Sequence, residues 1–251
     1  MKTLGIDIGG SGIKAAIVDV EKGTLLTERE RRETPDDSTP ATVGREIRAL
    51  IKHFKWTGPV GLGFPGVIRN NVIHTAVNLD EGWIGLNLAA RVTQATKCPA
   101  QVVNDADAAG LAETAFGAGR DRRGTVLLLT LGTGIGSAII CNGKLVPNTE
   151  FGHLEFHDGS LEDYAAASVR KEKDLRWSHW SKRVNKALLH LDYVLSPELI
   201  ILGGGVSAKF DKMAAHFDKS LNVVPAQMLN EAGIIGAALA AAQGLAGRKR
   251  S

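Results

Sequence analysis

One structural plan is written twice in this chain of 251 residues. Residues 3–28 read as strand, glycine turn, strand, turn, strand: Thr3 to Ile8, Gly9-Gly-Ser-Gly12, Ile13 to Val20, Glu21-Lys-Gly23, Thr24 to Glu28. Residues 126–146 repeat it with Val126 to Leu131, Gly132-Thr-Gly-Ile-Gly136, Ser137 to Cys141, Asn142-Gly143 and Lys144 to Val146. Taken singly, either turn reads equally well as a tight turn that needs glycine for positive φ. Two such turns at the same place in two copies of one unit predict a two-lobed α/β protein whose backbone N–H nests grip a phosphate chain from both sides. Asp7 and Lys14 flank the first turn with opposite charges, a carboxylate suited to a hard metal beside a phosphate nest. The Walker A spacing is absent, which excludes a P-loop enzyme.

Between the copies, Pro40 to Phe54 has helical apolar spacing, and Val60 to Phe64 is a buried strand that ends in Pro65-Gly66. A loop carries Asn78 to Trp83, where an amide and a large aromatic are easier to explain by binding than by a core; a surface anchor is the alternative for Trp83. Asn87 to Thr96 reads as a helix, and Ala100 to Val103 as a strand running into Asn104, Asp105 and Asp107 ahead of the small-residue helix Ala108 to Phe116. Those three polar side chains either cap the helix or face a substrate, and the local pattern leaves both open.

After the second copy, Ser168 to Lys186 is strongly basic, with Trp177 and Trp180 among the charges. A solvated helix face is the usual meaning of such a run; a track for a long polyanion is the sharper one. Val184 to Val194 reads as an amphipathic helix, Glu198 to Leu202 as a buried strand, and Val206 to Phe217 as a helix after Gly203-Gly-Gly205. A small-residue helix begins at Ala232, and Arg248-Lys-Arg250 reads as a frayed tail. A net charge of +3 does not argue for nucleic acid, and no apolar run approaches the roughly 20 residues of a membrane span. Cys98 and Cys141 lie far apart with no C-x-x-C spacing and no leader precedes the first strand, so reduced thiols and a cytoplasmic location are expected.

Six segments together carry a family resemblance. They are Ile6-Asp-Ile-Gly-Gly-Ser-Gly-Ile-Lys14, Asn104-Asp105, Leu131-Gly-Thr-Gly-Ile-Gly136, Glu150-Phe-Gly-His153, Leu161-Glu162-Asp-Tyr-Ala-Ala and Leu202-Gly-Gly-Gly-Val206. They resemble the sugar kinase, hexokinase and actin superfamily, and within it the ROK family. The implied fold is a two-lobed, duplicated actin/hexokinase-like (ribonuclease H-like) α/β fold with a cleft between the lobes. Its N-terminal lobe would be residues 1–107 completed by a helix over 231–245, and its C-terminal lobe 108–230.

The resemblance implies phosphoryl transfer to the 6-hydroxyl of a hexose with Asp105 as general base. The sugar would meet Gly66, Asn78, Asn104, Asp105, Glu150, His153 and Glu162. The donor would meet Asp7, Gly9, Gly10, Ser11, Gly12, Lys14, Gly132, Thr133, Gly134, Gly203, Gly204 and Gly205. Mg²⁺ would be held at Asp7, directly or through water.

Within the family, the runs 148–155 and 104–113 are similar to actinobacterial polyphosphate glucokinases. That implies glucose as acceptor, with mannose left open, inorganic polyphosphate and/or ATP as donor, and a homodimer with no nucleic-acid or membrane partner. Arg170, Lys171, Lys173, Arg176, Lys182 and Arg183 are the candidate polyphosphate track. Two departures stand out: Phe156-His-Asp-Gly-Ser160 occupies the place of the family's cysteine-rich zinc motif, so structural zinc is not expected, and Asp107 stands where many relatives have Asn. The alternatives are a strictly ATP-dependent ROK hexokinase for another hexose and a non-catalytic sugar-sensing ROK protein. The latter would need a helix-turn-helix ahead of the first strand, where only Met1 and Lys2 stand.

Overall fold

The computed structural model describes residues 1–247, and the Arg248-Lys-Arg250 tail lies outside the described residues. The chain forms two compact units: Met1–Ala112 together with the C-terminal helix, and Glu113–Asn230.

In the first unit, β1 (Lys2–Gly9) and β2 (Gly12–Asp19) pair antiparallel from Lys2↔Asp19 to Gly9↔Gly12, leaving Gly10 and Ser11 as the turn. The third strand expected over 24–28 splits into β3 (Thr24–Leu25) and β4 (Glu30–Arg32), both paired with β2. The split has a local cause. Thr27 Oγ1 accepts the Ile17 N–H at 3.1 Å, so a side chain stands where a ladder carbonyl would.

Helix α1 (Pro40–His53) begins with Thr39 accepting the Thr42 N–H at 3.3 Å and Pro40 at its first position, and it buries Val43, Ile47, Leu50 and Ile51. Strand β5 (Val60–Phe64) lies parallel to β1, and the small hairpin β6 (Ile68–Arg69) and β7 (Val72–Ile73) follows. Helix α2 (Leu88–Thr96), capped by Asn87, leads to β8 (Ala100–Asn104), parallel to β5, and then to helix α3 (Asp105–Phe116). The sheet order is β3-β2-β1-β5-β8 with β4 beside β2.

Trp83 belongs to this unit's core rather than to a binding surface. It is 0% exposed, packs on Phe64 at 5.1 Å between ring centroids, and donates its indole N–H to Ser38 O at 2.8 Å. A buried tryptophan whose N–H finds a partner is a stable core group, even on a segment that reads as loop.

The second unit repeats the arrangement. Strands β9 (Thr125–Leu131), β10 (Ile135–Cys141) and β11 (Lys144–Val146) form the antiparallel meander, followed by the hairpin β12 (Glu155–Phe156) and β13 (Gly159–Ser160). Helices α4 (Leu161–Ala165), α5 (Ala167–Glu172) and α6 (Trp177–Leu195) come next, and then β14 (Leu199–Gly203) runs parallel to β9. Helix α6 begins seven residues before the expected amphipathic stretch because Trp180 already lies on the buried face that continues through Val184, Ala187, Leu188 and Leu191.

The helix expected over Val206–Phe217 is instead a 3₁₀ turn, Ser207–Lys209, and a single turn, α7 (Asp211–Ala214). Val206, Phe210, Met213 and Phe217 still pack into the core, but Ser207 donates its hydroxyl to Gly204 O at 2.8 Å and holds the entry as a tight turn. Strand β15 (Val223–Pro225) completes the order β11-β10-β9-β14-β15.

The chain then returns to the first unit as α8 (Ala232–Gly247). This helix lies so close to the first sheet that glycine is required on both sides. A Cβ on Gly5 of β1 or Gly61 of β5 would run into the carbonyls of Ile234 and Ala237, and one on Gly236 into the carbonyl of Ala108 in α3.

Candidate active site

In the first unit the candidate residues gather at the carboxyl ends of β1, β5 and β8. Cross-strand pairing sets Asp7 opposite Lys14, and their side chains meet at 3.5 Å between Oδ2 and Nζ. Burial pushes the Asp7 carboxyl above the ordinary aspartate value, and the neighbouring Lys14 and, more weakly, Arg29 pull it back. Gly63 lies between Asp7 and Asp105: a Cβ on it would be 3.8 Å from Asp7 Oδ1 and 3.9 Å from Asp105 Cα. A side chain at position 63 would stand between the two acids.

Asn78 adopts a left-handed φ of 58° and lies against the first turn, where a Cβ on Gly10 would be 3.3 Å from Asn78 Cβ. Thr34 fixes that turn by donating to Gly9 O at 2.5 Å.

Among the three polar residues, the structure shows which one caps the helix. Asn104 is the cap, since its Oδ1 accepts the Asp107 N–H at 3.0 Å while its Nδ2 donates to Gly66 O at 3.1 Å. Gly66 is thereby tied to the acid motif, and the carbonyl of Thr75 packs where its Cβ would be. Asp105 is the first residue of α3, half-buried, with Oδ1 accepting the Ala106 N–H at 2.8 Å. An anion is stabilised at a helix N-terminus. Asp107, at 1% exposure, is enclosed in the fold.

In the second unit Glu162 is the organiser. Its Oε2 accepts the Ile135 N–H at 3.0 Å and its Oε1 lies 3.7 Å from His153 Nε2. A Cβ on Gly134 would collide with the same carboxylate, so the second glycine turn is shaped to admit an acid. Glu150 belongs to this cluster: its carboxyl is pushed up mainly by burial, with His153 lowering it and Glu162 raising it. Two carboxylates and an imidazole at one place offer the mixed donors and acceptors that a polyhydroxyl ring needs.

A cavity of about 540 Å³ opens beside this turn, lined by Gly132, Thr133, Ser168, Trp177, Gly205 and Lys209 among others. Ser168 fixes the turn twice, through its N–H to Gly132 O at 3.1 Å and its hydroxyl to Thr133 O at 2.6 Å. Gly204, at φ 79°, packs on the backbone of Leu131, and Gly203 ends β14 against Thr130.

Arg170 and Lys171 line this cavity; Lys173, Arg176, Lys182 and Arg183 are not among its lining residues. Arg183 instead lies over the Tyr164 ring at 5.1 Å and donates to Tyr164 O. The guanidinium of Arg170 stacks on Trp177 at 4.6 Å, whereas Trp180 is fully buried with its N–H on Ala165 O and Ala166 O. Ser168, Trp177 and Lys209 were not assigned from sequence. The aromatic spacing of the basic run was the visible signal, but only helix phase separates the cavity tryptophan from the core one.

At Phe156-His-Asp-Gly-Ser160, the ring of Phe156 packs on His157, Tyr164 and His190 at 4.4, 5.1 and 5.2 Å between centroids. Among the described residues no group of three His, Cys, Asp or Glu is placed to hold a metal, and no helix is long and apolar enough to cross a membrane.

The chain is similar to known proteins at the level of family, sequence and fold. The model of the ROK family matches residues 3–164. A curated polyphosphate glucokinase of Mycobacterium tuberculosis is 47% identical over 239 residues, which cover 94% of this chain and 89% of the relative. The crystal structure of the inorganic polyphosphate/ATP-glucomannokinase from Arthrobacter sp. strain KM superposes with a TM-score of 0.92 at 44% identity, covering 97% of this chain and 99% of the other. A ROK family glucokinase from Streptomyces griseus, solved with glucose and AMPPNP, gives 0.83 at 26% identity over 97% and 100%. Sequence, model match and duplicated topology place the chain in one group: it belongs to the ROK family.

Proposed function

We propose that the chain transfers a phosphoryl group from inorganic polyphosphate, with ATP as a second donor, to the 6-hydroxyl of glucose, with Asp105 as general base. The observation that carries this reading is the placement of Asp105 at the head of α3, one glycine-cleared strand away from Asp7 and the first glycine turn. The activities named for the mycobacterial and Arthrobacter relatives support it.

In the step proposed, Asp105 takes the proton of the attacking hydroxyl as its oxygen bonds to the terminal phosphorus. The bond from that phosphorus to the bridging oxygen breaks, and the donor leaves one phosphate shorter with the released negative charge. Backbone N–H groups of the two glycine turns, residues 9–12 and 132–134, are proposed to meet donor oxygens. Glu150, His153 and Glu162 are proposed to read the sugar hydroxyls.

Asp7 suits Mg²⁺, which binds through one or two carboxylates and completes its shell with water and phosphate oxygens. When bound, the ion would neutralise charge on the donor oxygens. The free thiols of Cys98 and Cys141 support a cytosolic setting, and a homodimer is the assembly proposed from the family resemblance.

Glucose and mannose, each tested with ATP and with polyphosphate, should separate the readings by kcat/KM. The expected outcome is turnover with polyphosphate for glucose at least equal to that with ATP. Turnover with ATP alone would select the second reading, an ATP-dependent hexokinase. The cavity beside Trp177, about 540 Å³ of space walled by Gly205 and Val206, has room for a nucleoside and so accommodates ATP as a donor in either reading.

A further inference from the structure

Strand β4 carries charges of two kinds on its two faces. Arg32, on one face, pairs with Glu46 of α1 at 3.3 Å and with Glu30 at 3.9 Å. Arg31, on the other, stands directly opposite Lys14, which itself stands opposite Asp7. Residues directly opposite on neighbouring strands share a face, so Asp7, Lys14 and Arg31 form one charged row across β1, β2 and β4.

The row is unbalanced. Asp7 compensates Lys14, and among the described residues no carboxylate pairs with Arg31. Like charges in register cost stability unless an anion completes the set.

Arg31 is also aimed. Its Nη2 donates to Ser11 O at 2.9 Å, in the turn itself, and its guanidinium occupies the space that a Cβ on Gly12 would need, 2.9 Å from Nε. Gly12, with no Cβ, leaves room for the arginine. Only one of the five N–H directions of the planar fork is spent on Ser11, and the side chain is exposed. A guanidinium in that state matches phosphate oxygens two at a time.

We propose that Arg31 is a donor-specificity residue: it binds phosphates of an inorganic polyphosphate chain beyond the one being transferred. This rests on the polyphosphate reading above. A nucleoside triphosphate ends its charge after three phosphates and continues as sugar and base, whereas the polymer presents an anionic group at every repeat. An extra cation at the edge of the first turn therefore rewards the polymer selectively.

The test uses the full-length protein with saturating glucose. R31Q should lower kcat/KM for long-chain polyphosphate on the order of tenfold, as expected for one charged hydrogen-bonding group, and lower the polyphosphate-to-ATP ratio by nearly as much. R31K, which keeps the charge and loses the fork, should fall between. The plot of log kcat/KM for polyphosphate against log salt should become shallower by roughly 0.7–1 in R31Q, by analogy with one lost phosphate contact on a single strand.

Equal losses with both donors and an unchanged salt slope would show that Arg31 only braces the turn and would overturn the proposal. Wild-type protein that uses polyphosphate as well as R31Q does would overturn it alone. Wild-type protein that uses only ATP would overturn the underlying reading, and Arg31's role with it.

Discussion

Replacing Asp105 by asparagine is expected to lower kcat by on the order of 10²–10⁴ while glucose binding survives, because the change removes proton acceptance and little else. The amide has nearly the shape of the carboxylate, and its oxygen can keep the 2.8 Å bond from the Ala106 N–H, so the first turn of α3 stays formed. Asn104 continues to cap the helix through Asp107 N, independently of the change. Turnover in a coupled assay at saturating glucose measures the loss; glucose affinity by calorimetry checks that the sugar still seats. Near-normal kcat would remove Asp105 from the role of base. A loss confined to KM would instead make it a binding group for the sugar.

Much of this was legible because it is local in sequence. A glycine turn between two period-2 runs specifies a hairpin wherever it occurs, so the repeated meander of β1-β2 and β9-β10 could be read directly. Family membership was legible from the ordered motifs. What was not legible depends on partners far along the chain. Trp83 read as a binding group or a surface anchor because Asn78, Asp80 and Glu81 stand beside it; the groups that bury it, Phe64 and Ser38 O, come from other segments. The start of α3 was placed three residues late because Asp105 and Asp107 resemble capping residues, and only the register of Asn104 shows which of the three caps. Arg31 gave no signal because its meaning lies in standing opposite Lys14, a pairing fixed by how β4 returns to β2 after the break at Thr27.

The contact of α8 with α3 carries the other large prediction. Gly236→Ala adds one methyl group where the backbone carbonyl of Ala108 already stands, and neither partner can yield cheaply, since both are helix backbone. Overpacking a rigid contact costs about 1–3 kcal/mol and more where backbone must move; with no side chain to rotate aside, about 3 kcal/mol is expected. In a protein of this size that corresponds to a fall in Tm of roughly 6–12 °C.

Gly244→Ala in the same helix is the control. Its Cβ would lie 3.2 Å from Gln101 Oε1, the end of a side chain that can shift, and alanine is favoured over glycine in a helix by about 1 kcal/mol. That variant should match or slightly exceed the wild type in thermal unfolding. Relief of the clash at Gly236 requires α3 to move at Ala108, one turn from Asp105. The Gly236 variant should therefore also lose kcat at temperatures where it remains folded, whereas the Gly244 variant should not. Equal stability of the two variants would mean that α8 does not press on α3 at Ala108, and that the acid at the head of α3 is held by something other than this contact.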